Sequence, residues 1–330
     1  MLLRRLLMLA LIVLCPALLT RAESSLVKQA GTDVMDPAAD PTRGTLKWGH
    51  GGFVHADGAP TPTPTFRTLD REGNLTRSAA VSIPGAEKVD FNDFDRSADG
   101  SVAFAGVAWS SSGQRSPFIA WLSSDGSTER VISTGRYTAF HLSIAPDGTV
   151  WALGYDAFST PGPQVSPNPG ADVLKHFDRG GKLLGSALPQ SGFTSGSERA
   201  RIVSGRLVAQ RDRLGWYSAI GGNSRYVEIS TDSMTQRTLP GLPPKYCDKW
   251  WDGAIDGLAM TEGGDVIVSI DDHRANDRRV YKFDRATSEW APLNVPGLGG
   301  YSFTPHLVGS DGDRLVFRYD YSAAFFSLSH

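Results

Sequence analysis

Apolar and polar residues alternate along most of the chain in short runs that are separated by tight turns. Five segments consist of an apolar strand, a turn and a second apolar strand, and their turns are Asp99-Gly100, Asp147-Gly148, Ser204-Gly205, Gly263-Gly264 and Asp311-Gly312. Alternation with a period of two predicts half-buried strands, and Asp-Gly or Gly-Gly between such runs predicts a β-hairpin. We therefore expect a recurring hairpin of one type.

A second type of hairpin alternates with the first. Its turns lie at Asp70, Asp125, Gly180, Asp232 and Asp284, which are separated by 55, 55, 52 and 52 residues. Two hairpins per repeat describe a four-stranded propeller blade. A weaker first repeat has Leu46 to Trp48 and Phe53 to His55 as its inner pair. The sequence thus predicts an all-β fold, a single six-bladed β-propeller with four antiparallel strands per blade, over residues 44–330.

The last repeat ends one strand short. Residues 325–328 form only its third predicted strand, which leaves an open sheet edge. Residues 25–29, within the N-terminal segment 23–43, can fill that edge and close the ring. The alternative is a disordered N-terminal segment, since chain termini are mobile unless a sheet holds them.

Residues 1–22 have the pattern of a signal peptide. Arg4 and Arg5 precede an apolar run from Leu6 to Leu19, and Thr20-Arg21-Ala22 places small residues at the −3 and −1 positions of a cleavage site. The apolar run is short for a membrane span. We therefore expect a secreted or periplasmic protein.

Charge and cysteine content exclude several classes of partner. The formal net charge is −2, and cleavage after Ala22 removes three arginines and no acid, which gives −5. An acidic chain without a Lys/Arg run predicts no nucleic-acid partner, and without a second long apolar run it predicts no membrane span after cleavage. Cleavage also leaves Cys247 as the lone cysteine. The core must then stabilise the fold without an internal disulfide. The oligomeric state is not predicted.

Two inner hairpins resemble those of a known superfamily. Residues 256–268 and 140–154 are similar to the inner hairpins of six-bladed propellers of the gluconolactonase/NHL-like superfamily. The resemblance implies a divalent metal at the mouth of the channel, bound in part by an Asn and an Asp at the positions that Asn92 and Asp256 occupy. The further Glu ligand of that family has no counterpart here, because residues 44–52 contain no acid.

The two faces of the predicted ring differ. The tight turns of the inner hairpins lie on one face, so the longer connections 157–172, 211–225, 240–252 and 273–278 lie on the opposite face. Loops on a rigid scaffold often carry binding and catalytic residues. We expect that loop face to be the functional one.

Aligning the hairpins on their turns predicts a ring of polar residues around the axis. Its members are Asn92, Asp93, His141, Glu198, Asp256 and His306. Two imidazoles with carboxylates suit zinc, and oxygen-rich sets suit calcium. The alternative is that these side chains line a water-filled channel and hydrogen-bond to loop backbone.

Aromatic residues in one loop suggest a second type of site. Tyr246, Trp250 and Trp251 can stack on a sugar or hold a peptide. The alternative is a lid packed on the blade edges. His273 is a secondary candidate in a neighbouring loop.

These patterns support two functions. The favoured one is a binding module for a small ligand, a glycan or a peptide. The alternative is a metal-dependent lactonase- or esterase-like hydrolase or lyase that uses the channel mouth, with calcium or zinc as its metal. Whether the protein is an enzyme stays open at this point.

Overall fold

Six sheets of four antiparallel strands surround one axis in the computed structural model of the chain, so the prediction of a six-bladed β-propeller is confirmed. The structure describes residues 26–28, 44–57, 61–156, 171–193, 195–220, 223–242, 254–272, 277–295, 306–319 and 322–328. Blades 1 to 5 are meanders in which consecutive strands pair, and the strand nearest the axis comes first in the chain.

The first half of the chain forms blades 1 to 3. The N-terminal strand β1 (Leu26–Lys28) comes before them and joins blade 6. Blade 1 contains β2 (Gly44–Gly49), β3 (Gly52–Asp57), β4 (Thr65–Leu69) and β5 (Leu75–Ala80). Blade 2 contains β6 (Lys88–Arg96), β7 (Val102–Trp109), β8 (Arg115–Leu122) and β9 (Thr128–Ser133). Blade 3 contains β10 (Tyr137–Ile144), β11 (Val150–Asp156), β12 (Asp172–Phe177) and β13 (Leu183–Pro189).

The second half forms blades 4 to 6. A short 3₁₀ turn (Gln190–Gly192) and helix α1 (Gly196–Ser204) lead into it. Blade 4 contains β14 (Arg206–Ala209), β15 (Arg213–Ile220), β16 (Asn223–Ser230) and β17 (Gln236–Pro240). Blade 5 contains β18 (Ala254–Met260), β19 (Val266–Asp272), β20 (Asp277–Asp284) and β21 (Glu289–Pro292). Blade 6 contains β22 (His306–Asp311), β23 (Arg314–Tyr319) and β24 (Ser322–Leu328), with β1 as its outermost strand.

The N-terminal strand completes the last blade. In the antiparallel register of β1 and β24, Leu26 lies opposite Leu328. The Leu26 amide donates to the carbonyl of Asn294 in blade 5 (3.0 Å). The inner strands of successive blades contact one another around the ring, and β22 of blade 6 contacts β2 of blade 1. The ring is therefore closed by strands from both ends of the described chain.

The core lies between the blades. Strand β7 is buried at seven of its eight positions because neighbouring blades cover both of its faces, whereas the outer strand β5 has no buried position. Large rings fill the gaps between blades: Phe104 of blade 2 packs on Phe66 of blade 1 with ring centroids 4.8 Å apart. Trp48 of blade 1 packs edge-to-face on Phe325 of blade 6, with ring centroids 5.0 Å apart. These contacts explain the continuous apolar runs of the middle strands.

One predicted hairpin is wrong. Ser204-Gly205 is the end of helix α1, where Gly205 has an extended backbone (φ −69°, ψ −177°), and the inner hairpin of blade 4 turns between Ala209 and Arg213 instead. The segment 211–225, expected as a long loop, contains all of β15. The apolar residues that resembled a strand belong to the helix, whose Ile202 is fully buried. The other predicted turns lie between paired strands.

No helix among the described residues is long and apolar enough to cross a membrane.

Replacing Leu26 by Ala is expected to destabilise the ring. Leu26 is 1% exposed and packs in a cluster with Leu307, Leu315 and Phe326, so truncation leaves a cavity and should cost about 3 kcal/mol of unfolding free energy. Urea denaturation measures the loss. The control is Leu75→Ala on the outer strand of blade 1, where the side chain is 40% exposed. Equal stability of the two variants would contradict closure through β1.

Candidate functional site

A cavity of about 450 Å³ lies in the central channel and is lined by residues from the inner strands of all six blades. Its turn end is crossed by His50, which follows β2. The His50 Nε2 lies 3.1 Å from the carbonyl of Ile144 in blade 3, and the His50 carbonyl accepts a hydrogen bond from Arg96 of blade 2 (2.8 Å). These bonds narrow the turn end of the channel.

Every inner strand contributes at least one ionisable side chain to the wall of this cavity, and one from each blade follows a repeating order of cation, carboxylate and imidazole. In blades 1 to 3 the order is Lys47, Asp93 and His141, which we name the first half-ring. In blades 4 to 6 it is Arg206, Asp256 and His306, which we name the second half-ring. Since like residues are three blades apart, they face each other across the channel.

The carboxylate of the first half-ring is fully engaged. Lys47 Nζ lies 2.5 Å from Asp93 Oδ1, and the backbone amides of Phe94 (2.9 Å) and Leu142 (2.8 Å) donate to the same carboxylate. Burial alone raises the pKa of Asp93, but the charge of Lys47 and the hydrogen bonds outweigh it and hold that pKa well below its usual range. Asp93 is therefore a buried, ionised, fully bonded group.

The imidazole of the first half-ring is turned toward backbone. His141 Nδ1 lies 3.8 Å from Asp93, while Nε2 lies 3.0 Å from the carbonyl of Val203. Burial lowers the pKa of His141, and the charges of Arg206 and Lys47 act in the same direction, against the opposing effect of Asp93. A neutral imidazole that donates from Nε2 to the carbonyl fits this environment.

The second half-ring is connected differently. His306 Nδ1 lies 2.5 Å from Asp256 Oδ1, and Ser269 donates to the other carboxylate oxygen (3.3 Å). Arg206 bonds only to backbone carbonyls, from Nε to Asp256 (3.4 Å) and from Nη1 to Gly205 (2.8 Å). Within the part of the chain that the structure describes, no carboxylate lies within 4.0 Å of the Arg206 guanidinium. Its charge is not neutralised by an ion pair there.

Local backbone geometry positions these groups. Bulges interrupt the inner strands at Asn92, Phe140 and Asp256, each of which is left out of the ladder register. Bulges re-aim side chains and recur beside functional sites. A Cβ on Gly257 would lie 2.1 Å from the carbonyl of Leu307, so only glycine allows β18 and β22 to approach this closely. That approach brings Asp256 beside His306.

Five of the six predicted ring residues line the cavity, namely Asn92, Asp93, His141, Asp256 and His306. Asn92 donates from Nδ2 to the carbonyl of Ala139 in the next blade (2.7 Å). Glu198 does not line the cavity: it lies in the first turn of α1 and pairs with Arg201 (3.2 Å) and Arg225 (3.4 Å). The misplaced turn of blade 4 caused this error, and Arg206 is the residue that reaches the channel.

The remaining candidates lie outside the described residues. They are Tyr246, Trp250, Trp251 and His273.

The two carboxylates of the predicted metal ring have separate partners, Lys47 for Asp93 and His306 for Asp256. The described residues contain no group of three His, Cys, Asp or Glu side chains that could hold a metal ion. Asp93 is bonded to an ammonium group and two amides, and Asp256 to His306 and Ser269. The six candidates therefore do not form one coordination sphere.

Sequence reasoning missed five ionisable side chains of the cavity wall, which are Lys47, His50, Asp95, Arg206 and Arg318. Asp95 accepts from the backbone amide of Ile144 (2.8 Å), and burial raises its pKa although Lys47 opposes that effect. The sequence could have predicted the position of Asp95, because Asp93 and Asp95 are two residues apart on a strand and therefore share one face.

The sequence also contained a pattern that predicts helix α1. Ser195-x-x-Glu198 is a capping-box pattern, and the Ser195 hydroxyl accepts a hydrogen bond from the Glu198 amide (3.1 Å).

Comparisons with known proteins add little about function. No family model matches the chain, and no curated protein matches it. Among solved structures, a protein of unknown function from Bacteroides caccae is 11% identical over 78% of this chain and 81% of that one, with a TM-score of 0.44. TolB from Acinetobacter baumannii is 13% identical over 82% and 61%, with a TM-score of 0.43. An auxiliary nutrient binding protein from Bacteroides ovatus is 10% identical over 91% and 69%, with a TM-score of 0.45. Similarity this low says nothing about ligand or activity.

Removing the charge of Lys47 is expected to destabilise the protein in a pH-dependent way. In Lys47→Met the buried Asp93 loses its cation, so the unfolding free energy should fall by roughly 3 kcal/mol at pH 7. The native pKa of Asp93 lies below its ordinary value of 3.8. Its favourable contribution is thus present above that value and is lost as the pH falls below it.

The test is urea denaturation across this pH range. The difference in unfolding free energy between the parent protein and Lys47→Met should narrow as the pH falls, because loss of the ammonium raises the pKa of Asp93 and the variant takes up a proton at a higher pH than the parent. The double variant Lys47→Met/Asp93→Asn should recover much of the loss at pH 7. A loss that stays constant with pH would show that Lys47 acts through packing alone.

Proposed function

We propose that this propeller is an exported binding module that holds a small polar ligand in its central channel. The observation that carries the proposal is the cavity of about 450 Å³, into which polar side chains converge from six blades. Pockets for small ligands occupy roughly 300–1,000 Å³ and combine apolar walls with a few placed polar groups. Leu46, Trp48 and Leu258 supply apolar wall here.

The shape of the channel favours a small ligand over a glycan or a peptide. The polar groups lie on the inner strands, inside the ring, and His50 crosses the turn end. A polymer would have to pass a segment into the ring to reach them. Binding of a glycan or peptide by Tyr246, Trp250 and Trp251 rests on the sequence alone.

Export is the second part of the proposal. It is supported by the charged start, apolar run and small residues of the first 22 positions.

A metal-dependent lactonase- or esterase-like hydrolase or lyase is the less favoured function. It would need the acids and imidazoles of the channel to share one ion, whereas the described residues pair them separately. The observed pairing supports binding by side chains over catalysis by a metal.

Blocking the channel mouth is expected to abolish ligand binding. Thr45 is exposed on β2 and lines the cavity, so Thr45→Trp should fill the mouth without disturbing the core. The measurement is the thermal shift of the protein with a panel of neutral sugars, sugar acids, amino acids and nucleosides. Compounds that raise the melting temperature of the parent should lose that effect in Thr45→Trp, because ligands stabilise only the form that binds them.

The matched control is Thr128→Trp on β9, which is exposed and lies outside the cavity wall. Every compound that raises the melting temperature of the parent should raise that of Thr128→Trp equally. Shifts that persist in Thr45→Trp would place the ligand elsewhere on the surface.

Divalent metals are expected to leave stability unchanged. Calcium, zinc and manganese should not raise the melting temperature of protein first treated with EDTA, because the described carboxylates of the channel are already bonded. A clear rise with any one ion, lost again on adding EDTA, would instead support the metal-dependent alternative.

A further inference from the structure

We propose that the second half-ring recognises a hydroxycarboxylate, with the carboxylate of the ligand on Arg206 and a neighbouring hydroxyl on His306. The inference rests on the proposed function, since it specifies what the channel binds. It arises from the different bonding of two half-rings that carry the same order of residue types.

The charges of the first half-ring neutralise each other. Its cation and its carboxylate bind each other at 2.5 Å, and its imidazole faces a backbone carbonyl. In the second half-ring the carboxylate binds the imidazole instead. The guanidinium of Arg206 is thereby left facing the cavity without an anionic partner among the described residues.

Arg206 has the chemistry of an anion receptor. Its bonds to described residues use Nε and one hydrogen of Nη1, and both acceptors are neutral carbonyls that orient the group without cancelling its charge. A guanidinium carries five N–H donors in a planar fork. The remaining donors fit a carboxylate, which accepts two parallel hydrogen bonds from such a fork.

His306 adds the second point of recognition. When Nδ1–H donates to Asp256, the tautomer is fixed and Nε2 carries a lone pair. No described residue bonds to that nitrogen, and the side chain is 31% exposed along the cavity wall. A lone pair accepts a hydrogen bond from a hydroxyl.

Asp256 ties the two groups together. Its backbone carbonyl accepts from Arg206, its side chain accepts from His306, and Ser269 fixes the second carboxylate oxygen. One residue therefore orients both the anion-binding and the hydroxyl-binding group. A ligand that carries a carboxylate and a hydroxyl can use both groups, as a hydroxy acid or a sugar acid does.

Isothermal titration with matched pairs of compounds tests the inference. The probes are glycolate with glycolamide, L-malate with its diamide, and D-galacturonate with D-galactose, together with acetate and inorganic phosphate as anions without a neighbouring hydroxyl. At least one hydroxycarboxylate should bind, and its neutral partner should bind roughly tenfold or more weakly because it lacks the charge-assisted hydrogen bonds.

Variants assign the effect to residues. Arg206→Gln should weaken the hydroxycarboxylate roughly tenfold or more, and Arg206→Lys should restore only part of the affinity because it keeps the charge without the fork. His306→Gln should reduce the preference for the hydroxycarboxylate over acetate. Arg130→Gln, which removes an exposed cation on the outer strand β9, should bind like the parent. Circular dichroism melts confirm that each variant is folded.

The outcomes separate the two proposals. If neutral partners bind as tightly as acids, or if Arg206→Gln binds like the parent, this inference is overturned while binding in the channel still stands. If acetate or phosphate binds as tightly as the hydroxycarboxylates, the hydroxyl contact is rejected. If neither these probes nor the thermal-shift panel bind, both proposals fall together.

Discussion

Closure of the six blades around one axis is the constraint on which the rest of the structure depends. A four-stranded blade buries its faces only against neighbours, so every blade needs one on each side. Blade 6 obtains its outer strand from the other end of the chain, where Leu26 lies opposite Leu328 and also bonds to blade 5. Because the ring is closed, six inner strands converge, and side chains as far apart in sequence as Lys47 and His306 share one cavity. The site is a consequence of closure, since no single blade contains it.

Electrostatics within this narrow channel then decide which groups stay available. A buried carboxylate needs a partner, because desolvation of an isolated charge is costly. Asp93 obtains that partner from the preceding blade, as Lys47, while Asp256 obtains it from the following blade, as His306. The choice of neighbour determines what remains exposed to the cavity. In the first half-ring an imidazole remains and turns to Val203, whereas in the second a guanidinium remains, held by carbonyls alone.

Much of the fold was predictable because its signals are local. Hairpin turns such as Asp99-Gly100 and Asp147-Gly148 carry glycines at positive φ (86° and 83°), a backbone that glycine adopts without strain. The spacing of those turns then gave the number of blades. The candidate site was only partly predictable. Asp93, His141 and Asp256 lie where the alignment placed them, but their partners depend on contacts between blades, such as the approach of β18 to β22 that Gly257 permits. The spacing of residues along the sequence does not predict such contacts between blades.

The wrong prediction of the turn in blade 4 shows that the charge of the channel depends on the register of a single repeat. With Glu198 in the ring, the channel has three carboxylates and two imidazoles, which is a set that attracts a divalent cation. With helix α1 inserted before β14, Glu198 instead forms ion pairs with Arg201 and Arg225, and Arg206 takes its place in the channel. The channel thus contains a cation where the sequence alignment had predicted a carboxylate. Three cations of the cavity wall then balance three carboxylates, so the described ionisable groups hold no formal surplus of negative charge for a metal ion; the cations are Lys47, Arg206 and Arg318, and the carboxylates are Asp93, Asp95 and Asp256. The same six-bladed scaffold thereby changes from a candidate cation site to a candidate anion site, through a helix whose capping-box signal stands in the sequence at Ser195 and Glu198.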